Sequence, residues 1–198
     1  KKILFLCERF RLEAAPTSLI FRHFMIKIIK SQKLTRQKWL NLFDVKFIDK
    51  NGDKKSWQLA SREKEPKCVT GDFKKPDAVI IVPFHKDRKK VVITKEYRVP
   101  LGDWEYGFPA GLVDEDETIQ EAARRELKEE AGLNITRFVK MSPPIYSSAG
   151  MTDESVAMVY VECEGQPSIA ENTGSELIAV KLVSQSEASR LCEDPNLK

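Results

Sequence analysis

A predicted helix with acidic side chains on its buried face constrains this chain more than any other feature. The apolar periodicity predicts a helix over 117–131 that ends at Gly132. At about 100° per residue, one side of this helix is apolar, and it consists of Ile119, Ala122, Ala123 and Leu127. Three carboxylates, those of Glu126, Glu129 and Glu130, fall on or beside that same side.

Carboxylates on a buried face need a compensating cation. An ionised carboxylate is costly to bury without a partner, and clustered acids raise one another's pKa values. Mg²⁺ and Mn²⁺ prefer hard oxygen ligands of this kind together with substrate phosphates. Arg125 stands one turn before Glu129 and is placed to pair with it. An ordinary surface helix would carry these acids on its solvated side, so the pattern predicts a divalent-metal site.

The same segment matches a family motif at each of its fixed positions. The matching residues are Gly111, Glu117, Arg125, Glu126, Leu127, Glu129, Glu130, Gly132 and Leu133. Their spacing, G-x5-E-x7-R-E-U-x-E-E-x-G-U with U aliphatic, resembles the box of the Nudix hydrolases. The resemblance implies an α+β protein with a Nudix-type α/β/α sandwich. It also implies metal-dependent hydrolysis of a nucleoside diphosphate linked to another group.

The resemblance assigns roles within this box. Glu126 and Glu130 match the main metal ligands, joined by the backbone carbonyl of Ala110, and Glu129 assists. Two or three Mg²⁺ ions, or Mn²⁺, are implied for the site. The structural positions of the motif are Gly111, Glu117, Arg125 and Gly132.

Residues 39–183 resemble the ADP-ribose pyrophosphatases in particular. Trp39 and Trp57 lie on the two arms of a predicted hairpin around Asn51-Gly52, a dipeptide favoured in tight turns. Without the resemblance, such a tryptophan pair is more often part of a core than a ligand platform. In this subfamily the pair sandwiches adenine, often across a homodimer, and Arg62 matches a phosphate or base contact.

Further substrate contacts are implied by the same resemblance. Arg98 matches the arginine that binds the pyrophosphate, as suits charge-assisted bonds to phosphate. The segment 147–154 matches the loop that holds the terminal ribose, and the candidate contacts there are Gly150, Met151 and Glu154. Leu112 is a further candidate substrate-binding residue. Glu176 matches a loop glutamate that acts as general base or extra metal ligand, with Glu171 as a nearby alternative.

Two positions depart from the subfamily pattern. Ala149 stands where proline is usual, and Gly107 stands where glutamate is often found before Phe108-Pro-Ala-Gly. Glu105 lies near the second position, and strand alternation places it on the same face only if the backbone there is regular. An auxiliary acidic ligand is therefore either missing or supplied from elsewhere.

The implied reaction is hydrolysis of ADP-ribose to AMP and ribose 5-phosphate. One alternative is a pyrophosphatase for a nucleotide sugar of the GDP-mannose type, which uses the same catalytic core. Another is a non-catalytic domain that senses ADP-ribose. Such regulators commonly have an eroded box and an added winged helix, whereas here the box is intact.

The remaining pattern predicts a mixed fold in three segments. Strands are expected at 39–48, 54–61, 78–84, 91–97, 155–162 and 177–183, with a last helix from about Ser186. Because strands and helices do not alternate strictly, the class is α+β. The predicted segments are a basic lead (1–38), an N-terminal β-hairpin subdomain for adenine binding and dimerisation (39–75), and a hydrolase domain (76–198).

Composition limits the function classes. Apolar residues make up 41% of the 198, and no apolar run reaches the roughly 18 residues of a membrane span. Residues 1–38 have a net charge of +8 and residues 39–198 a net charge of −5, which argues against a uniformly basic nucleic-acid binder. The four scattered cysteines favour a reducing, cytoplasmic location. The basic amphipathic stretch 19–30 is open to three interpretations: a packed helix or strand, a membrane-surface helix, or part of an organelle presequence.

Overall fold

The computed structural model describes residues 26–172, 174 and 177–198. The chain forms two compact units, the first ending at Thr70 and the second running from Gly71 to Lys198. Each unit has its own sheet. The sequence-based division at residues 38 and 75 stays a prediction.

The described part of the first unit, residues 26–70, contains a three-stranded antiparallel sheet and one short helix. Its elements are β1 (Lys27–Lys33), β2 (Asn41–Ile48), β3 (Lys54–Ser61) and α1 (Lys67–Thr70), with strand order β1-β2-β3. The predicted hairpin joins β2 to β3, and Gly52 adopts the positive φ of +89° that its tight turn requires. The Asp49 carboxylate accepts hydrogen bonds from the backbone N–H groups of Asn51 and Asp53 and closes the turn.

Strand β1, which belongs to the basic lead segment, pairs with β2 and extends the hairpin to three strands. Of the three interpretations of the stretch 19–30, a packed strand is the one found from Lys27 onward, while residues 1–25 lie outside the described part. The inner face of the sheet buries Phe43 and Val45, as the alternation along β2 requires.

The second unit is a mixed sheet with helices, which confirms the α+β class and the Nudix-type sandwich. Its strands are β4 (Ala78–His85), β5 (Lys90–Arg98), β6 (Asp103–Gly107), β7 (Ala110–Leu112), β8 (Asn134–Met141), β9 (Ile145–Tyr146), β10 (Ser155–Glu164) and β11 (Ile178–Val183). Its helices are α2 (Ile119–Ala131) and α3 (Gln185–Cys192). The sheet order is β11-β5-β4-β10-β8, with β6 on β5, β7 on β4 and β9 on β10. Strand β10 runs parallel to β4, and the other pairs are antiparallel.

Helix α2 is fastened to the sheet by an apolar stripe and by caps at both ends. Leu127 is fully buried among strand residues that include Val79 and Val159, and burial of each such side chain contributes about 1.5–3 kcal/mol. The helix begins two residues later than predicted because Thr118 forms a capping box with Glu121. It ends at Gly132, whose φ of +69° is the left-handed C-cap.

The predicted long strands and the last helix are all present, with boundaries shifted by a few residues. The eight-residue strand β8 and the short strands β6, β7 and β9 were not predicted. Strands β7 and β9 have only three and two residues, too few for a recognisable alternation. Within the described part of the chain, no helix is long and apolar enough to cross a membrane. Cys68, Cys163 and Cys192 are free thiols.

Candidate active site

The box glutamates Glu126 and Glu130 lie one helical turn apart on the buried side of α2. Their side chains reach the short strand β7, which is held against β4 by pairing of Ala110 with Ile80. Glu126 is 9% exposed and Glu130 is 8% exposed. The predicted placement of these two carboxylates on the core side is therefore confirmed, and β7 is the element that faces them.

Gly111 is the residue that makes room for Glu126. A Cβ built at this glycine would lie 1.9 Å from Oε1 and 2.0 Å from Cδ of the Glu126 side chain. The neighbouring backbone N–H of Ala110 donates a 3.0 Å hydrogen bond to Oε2 of Glu130. Strand β7 therefore contacts both carboxylates. Glu126 lies over Gly111, which has no side chain, and Glu130 accepts a hydrogen bond from the backbone of Ala110.

Arg125 connects three box carboxylates. Its guanidinium donates two bonds to Glu117, from Nε at 3.0 Å and from Nη2 at 2.9 Å. Its Nη1 donates to Glu126 at 2.6 Å and to Glu129 at 3.2 Å. A fifth bond runs from Nη2 to the carbonyl of Leu112 at 3.0 Å. The predicted pairing with Glu129 is confirmed, and the sequence alone did not indicate the bonds to Glu117, Glu126 and Leu112.

These bonds change the protonation equilibria of the partners. The hydrogen bond from Arg125 is the main cause that lowers the pKa of Glu117. The hydrogen bond to Glu117 contributes most to raising the pKa of Arg125, and the hydrogen bond to Glu126 raises it further. Arg125 therefore ties Glu117, in the loop before α2, to Glu126 and Glu129 on the helix.

Arg98, at the end of β5, lies between two acids of neighbouring strands. Its Nη1 donates to Glu96 at 2.9 Å, and its Nε is 3.5 Å from Oε2 of Glu105. Glu96 and Glu105 are direct register partners across β5 and β6, so both carboxylates occupy one face of the sheet. The regular pairing of β6 therefore resolves the orientation of Glu105 that the sequence left open.

The Arg98 cluster is electrostatically coupled to the box helix. The hydrogen bond to Glu96 raises the pKa of Arg98, with smaller contributions from the charges of Glu105 and Glu130. Glu96 was not predicted as part of this cluster. Its position two residues before Arg98 in a strand is a signal that could have indicated the shared face.

The loop segment 147–154 is closed by its own hydrogen bonds. The backbone N–H of Ser147 donates to the carbonyl of Glu154 at 3.2 Å, and its hydroxyl lies 3.5 Å from Oε2 of the same residue. Met151 donates its N–H to the carbonyl of Ser148 and leaves its side chain 72% exposed. A Cβ added at Gly150 would meet nothing within 4 Å.

The loop glutamate has two candidates, Glu171 and Glu176, and the described residues include only the first. Glu171 lies 3.6 Å from Lys128 on α2, so its carboxylate is already balanced by a cation. Glu176 lies outside the described residues. The preference for Glu176 stays a prediction.

The predicted adenine platform belongs to the first unit. Trp39 is 66% exposed and Trp57 is 55% exposed, so neither ring is buried in a core. The ammonium of Lys38 lies 4.2 Å from the ring centroid of Trp39. Arg62 follows β3 and is exposed. Trp57 lies on β3 and Trp39 lies two residues before β2, and both exposed rings are available for stacking.

The donor set at β7 and α2 fits a hard divalent cation. Two buried carboxylates and the backbone carbonyl of Ala110 are the oxygen ligands that Mg²⁺ accepts together with phosphates and water. Among residues 26–172, 174 and 177–198, no three acidic, histidine or cysteine side chains form a ready-made metal cluster. Glu129 faces Arg125 here, so the described part offers two buried carboxylates and not three.

Comparisons with known proteins identify the family. The model of the NUDIX domain matches residues 74–197. A nudix hydrolase of Caenorhabditis elegans is 35% identical over 155 residues, which cover 75% of this chain and 68% of that protein. The ADP-ribose pyrophosphatase of Saccharomyces cerevisiae is 30% identical over 129 residues, covering 64% of this chain and 54% of its own length.

A solved structure gives the same result. The crystal structure of an ADP compounds hydrolase superimposes with a TM-score of 0.62 at 25% identity, covering 86% of this chain and 84% of that one. The chain spans between about half and two thirds of the length of the curated relatives it matches. With a family model over more than half of its residues and an intact box in the expected geometry, this chain belongs to the Nudix hydrolase family.

Proposed function

We propose that this protein is a Mg²⁺-dependent pyrophosphohydrolase that cleaves ADP-ribose to AMP and ribose 5-phosphate. The observation that carries the proposal is the pair of buried carboxylates, with Glu126 held over Gly111 and Glu130 held on the N–H of Ala110. Relatives named ADP-ribose pyrophosphatase and ADP-sugar pyrophosphatase support the choice of substrate class.

The metal ligands in this proposal are residues of β7 and α2. Glu126, Glu130 and the carbonyl of Ala110 hold Mg²⁺, with Glu129 as an auxiliary ligand, in a site for two or three ions. When bound, Mg²⁺ polarises the scissile phosphate and lowers the pKa of an attacking water. Arg125 keeps Glu126 oriented through the 2.6 Å bond between them.

Arg98 and the loop glutamate act on the substrate. Arg98 exchanges its bonds to Glu96 and Glu105 for bonds to pyrophosphate oxygens, where it stabilises the charge that develops during cleavage. Glu176 accepts the proton of the attacking water, or orients that water. Glu171 is the alternative for this role, and its ion pair with Lys128 makes it the weaker candidate.

The two ends of ADP-ribose contact other residues. Trp39 and Trp57 stack on adenine, and Arg62 contacts the base or a phosphate. The residues proposed to hold the terminal ribose are Gly150, Met151 and Glu154, and Leu112 is a further proposed substrate contact. We also propose a homodimer in which the hairpin of one chain completes the adenine site of its partner. A fully active species that stays monomeric in light scattering would contradict the dimer.

Glu126→Gln tests the catalytic assignment. The substitution keeps the size of the side chain and removes its charge, so we expect turnover to fall by about 10²-fold or more while the circular dichroism spectrum is unchanged. Glu115→Gln removes one acid from the exposed loop of the same box and serves as the matched control. Normal Mg²⁺-dependent turnover by Glu126→Gln would contradict the mechanism.

A substrate panel tests the specificity. ADP-ribose, GDP-mannose, NADH and diadenosine polyphosphates are compared at equal Mg²⁺ concentration, with kcat/KM as the measure. We expect ADP-ribose to give the highest value. A higher value for GDP-mannose would replace the proposed substrate by the alternative. Tight ADP-ribose binding without hydrolysis at saturating Mg²⁺ and Mn²⁺ would support a sensing domain.

A further inference from the structure

A cavity on the three-stranded sheet is lined mainly by cations. Its volume is about 430 Å³, and its lining residues are Ile29, Lys30, Lys46, Lys54, Lys55 and Ser56. We call it the lysine cavity. All six residues belong to β1, β2 or β3, and none belongs to the Nudix box or to the candidate metal ligands. The sequence from 26 to 61 contains nine lysine and arginine residues against three aspartates, so the whole sheet is strongly positive.

Strand register explains why three of the four cavity lysines, Lys30, Lys46 and Lys54, share one face. Lys30 of β1 lies directly opposite Lys46 of β2, and Lys46 lies opposite Ser56 of β3. Lys54 pairs with Ile48 and therefore lies on the same face two residues further along. Like charges that lie directly opposite each other destabilise an antiparallel pair. An anion between these ammonium groups would remove that repulsion.

A β-bulge shapes the edge of the cavity. The register between β1 and β2 shifts between Ile28 and Lys30, which leaves Ile29 as the extra residue. In a regular strand, Ile29 and Lys30 would point to opposite faces, whereas here both line the cavity. The bulge thus adds an apolar wall beside the ammonium group of Lys30.

One lysine of the cavity already has a partner. The ammonium of Lys46 lies 2.6 Å from a carboxylate oxygen of Asp44, which is largely buried. The charge of Asp49 also acts on Lys55. Two aspartates therefore face four cavity lysines, and the cavity keeps a net positive charge. Asp44 also holds Lys46 in a defined position, as a preorganised binding group requires.

We propose that the lysine cavity binds a small soluble anion with several phosphate charges. Each ammonium group supplies three donors and a compact charge suited to phosphate, and the Ser56 hydroxyl adds a further hydrogen-bonding group. The volume lies within the range of small-molecule sites. Neither Trp39 nor Trp57 lines the lysine cavity, so this anion site is separate from the proposed adenine platform.

The test is calorimetric titration of the full chain with sodium tripolyphosphate. EDTA is present throughout, so that divalent ions cannot bridge the anion to the candidate metal ligands. The variant Lys30→Gln/Lys54→Gln removes two charges from the lysine cavity. The control Lys50→Gln/Lys140→Gln removes two charges from exposed lysines that do not line it. Thermal melts of both variants verify folding.

We expect one saturable site in the unsubstituted chain. Because charge-assisted hydrogen bonds are lost, the affinity should fall about tenfold or more in the cavity variant and less than about threefold in the control. Absence of saturable binding, or equal weakening in both variants, would overturn the proposal. A parallel arm uses vesicles of phosphatidylserine and phosphatidylcholine. Binding to these vesicles without binding to tripolyphosphate would assign the phosphate to a lipid surface and would also overturn it.

Discussion

Replacement of Gly111 by alanine gives the most direct test of how the candidate metal ligands are held. The added Cβ would lie 1.9 Å from Oε1 and 2.4 Å from Oε2 of Glu126, where ordinary contact begins at 3.4 Å. The carboxylate must therefore move by at least about 1.5 Å. Such a movement breaks the 2.6 Å hydrogen bond from Arg125.

The magnitude follows from these contacts. Loss of a charge-assisted hydrogen bond costs about 1.5–3 kcal/mol. The lower entropy of the unfolded alanine chain offsets about 0.4–1 kcal/mol of that cost. We expect a net loss of about 1–2 kcal/mol in the free energy of unfolding, or about 2–8 °C in Tm. Turnover should fall further, by about 10²-fold, because a ligand displaced by more than 1 Å no longer meets the reacting phosphate correctly.

The assay compares Gly111→Ala with Gly107→Ala. At Gly107 the nearest atom to an added Cβ is Oγ1 of Thr94 at 3.9 Å, so that variant adds a methyl group without a clash. Mg²⁺-dependent hydrolysis, Mg²⁺ affinity by calorimetry and Tm are measured for both. If Gly111→Ala keeps the turnover and Mg²⁺ affinity of the control, Gly111 does not act by making room for Glu126, and the reasoning is refuted.

Two further predictions concern the structural positions of the box. Glu117→Gln removes the main partner of Arg125, so Tm at pH 7 should fall. Because the pKa of Glu117 is lowered in the folded protein, its contribution is present above the unfolded pKa and is lost as pH falls through the folded value. Tm of the unsubstituted chain should therefore decline more steeply below about pH 4.5 than that of the variant, and parallel declines would contradict the assignment. Gly132→Ala combines a φ of +69° with a Cβ only 2.6 Å from Cβ of Ser168. Gly102→Ala, with a φ of +61° and open space, isolates the backbone cost of about 1–2 kcal/mol. In urea unfolding, Gly132→Ala should lose at least about 1 kcal/mol more than this control, and equal losses would show that the contact with Ser168 is relieved without cost.

Local signals predicted most of the long elements of this protein, with the strand β8 as the exception. The apolar stripe of α2, the Asn51-Gly52 turn and the terminating Gly132 each depend on neighbours within a few residues, so their outcome could be read from the sequence. The boundary at Thr118 was missed because the capping box competes with continuation of the helix through Glu117.

The same signals could not predict which strands pair or in which register. Strand β6 pairs with β5 and places Glu105 opposite Glu96, a result that depends on register and not on composition. Strand β1 was one of three interpretations of a basic amphipathic stretch, and only its pairing with β2 selected the strand. The bulge that brings Ile29 and Lys30 into one cavity has no local sequence signal.

The sequence by itself determined that three carboxylates would share a helix with an apolar stripe, because helical periodicity alone places them there. Helical spacing also placed Arg125 one turn before Glu129, its partner. Tertiary structure decided what the other two carboxylates contact: Glu126 lies over Gly111, and Glu130 accepts from the N–H of Ala110. These partners come from a strand and a helix that meet only when β7 pairs with β4, and a contact between segments distant in sequence is set by packing of the whole unit.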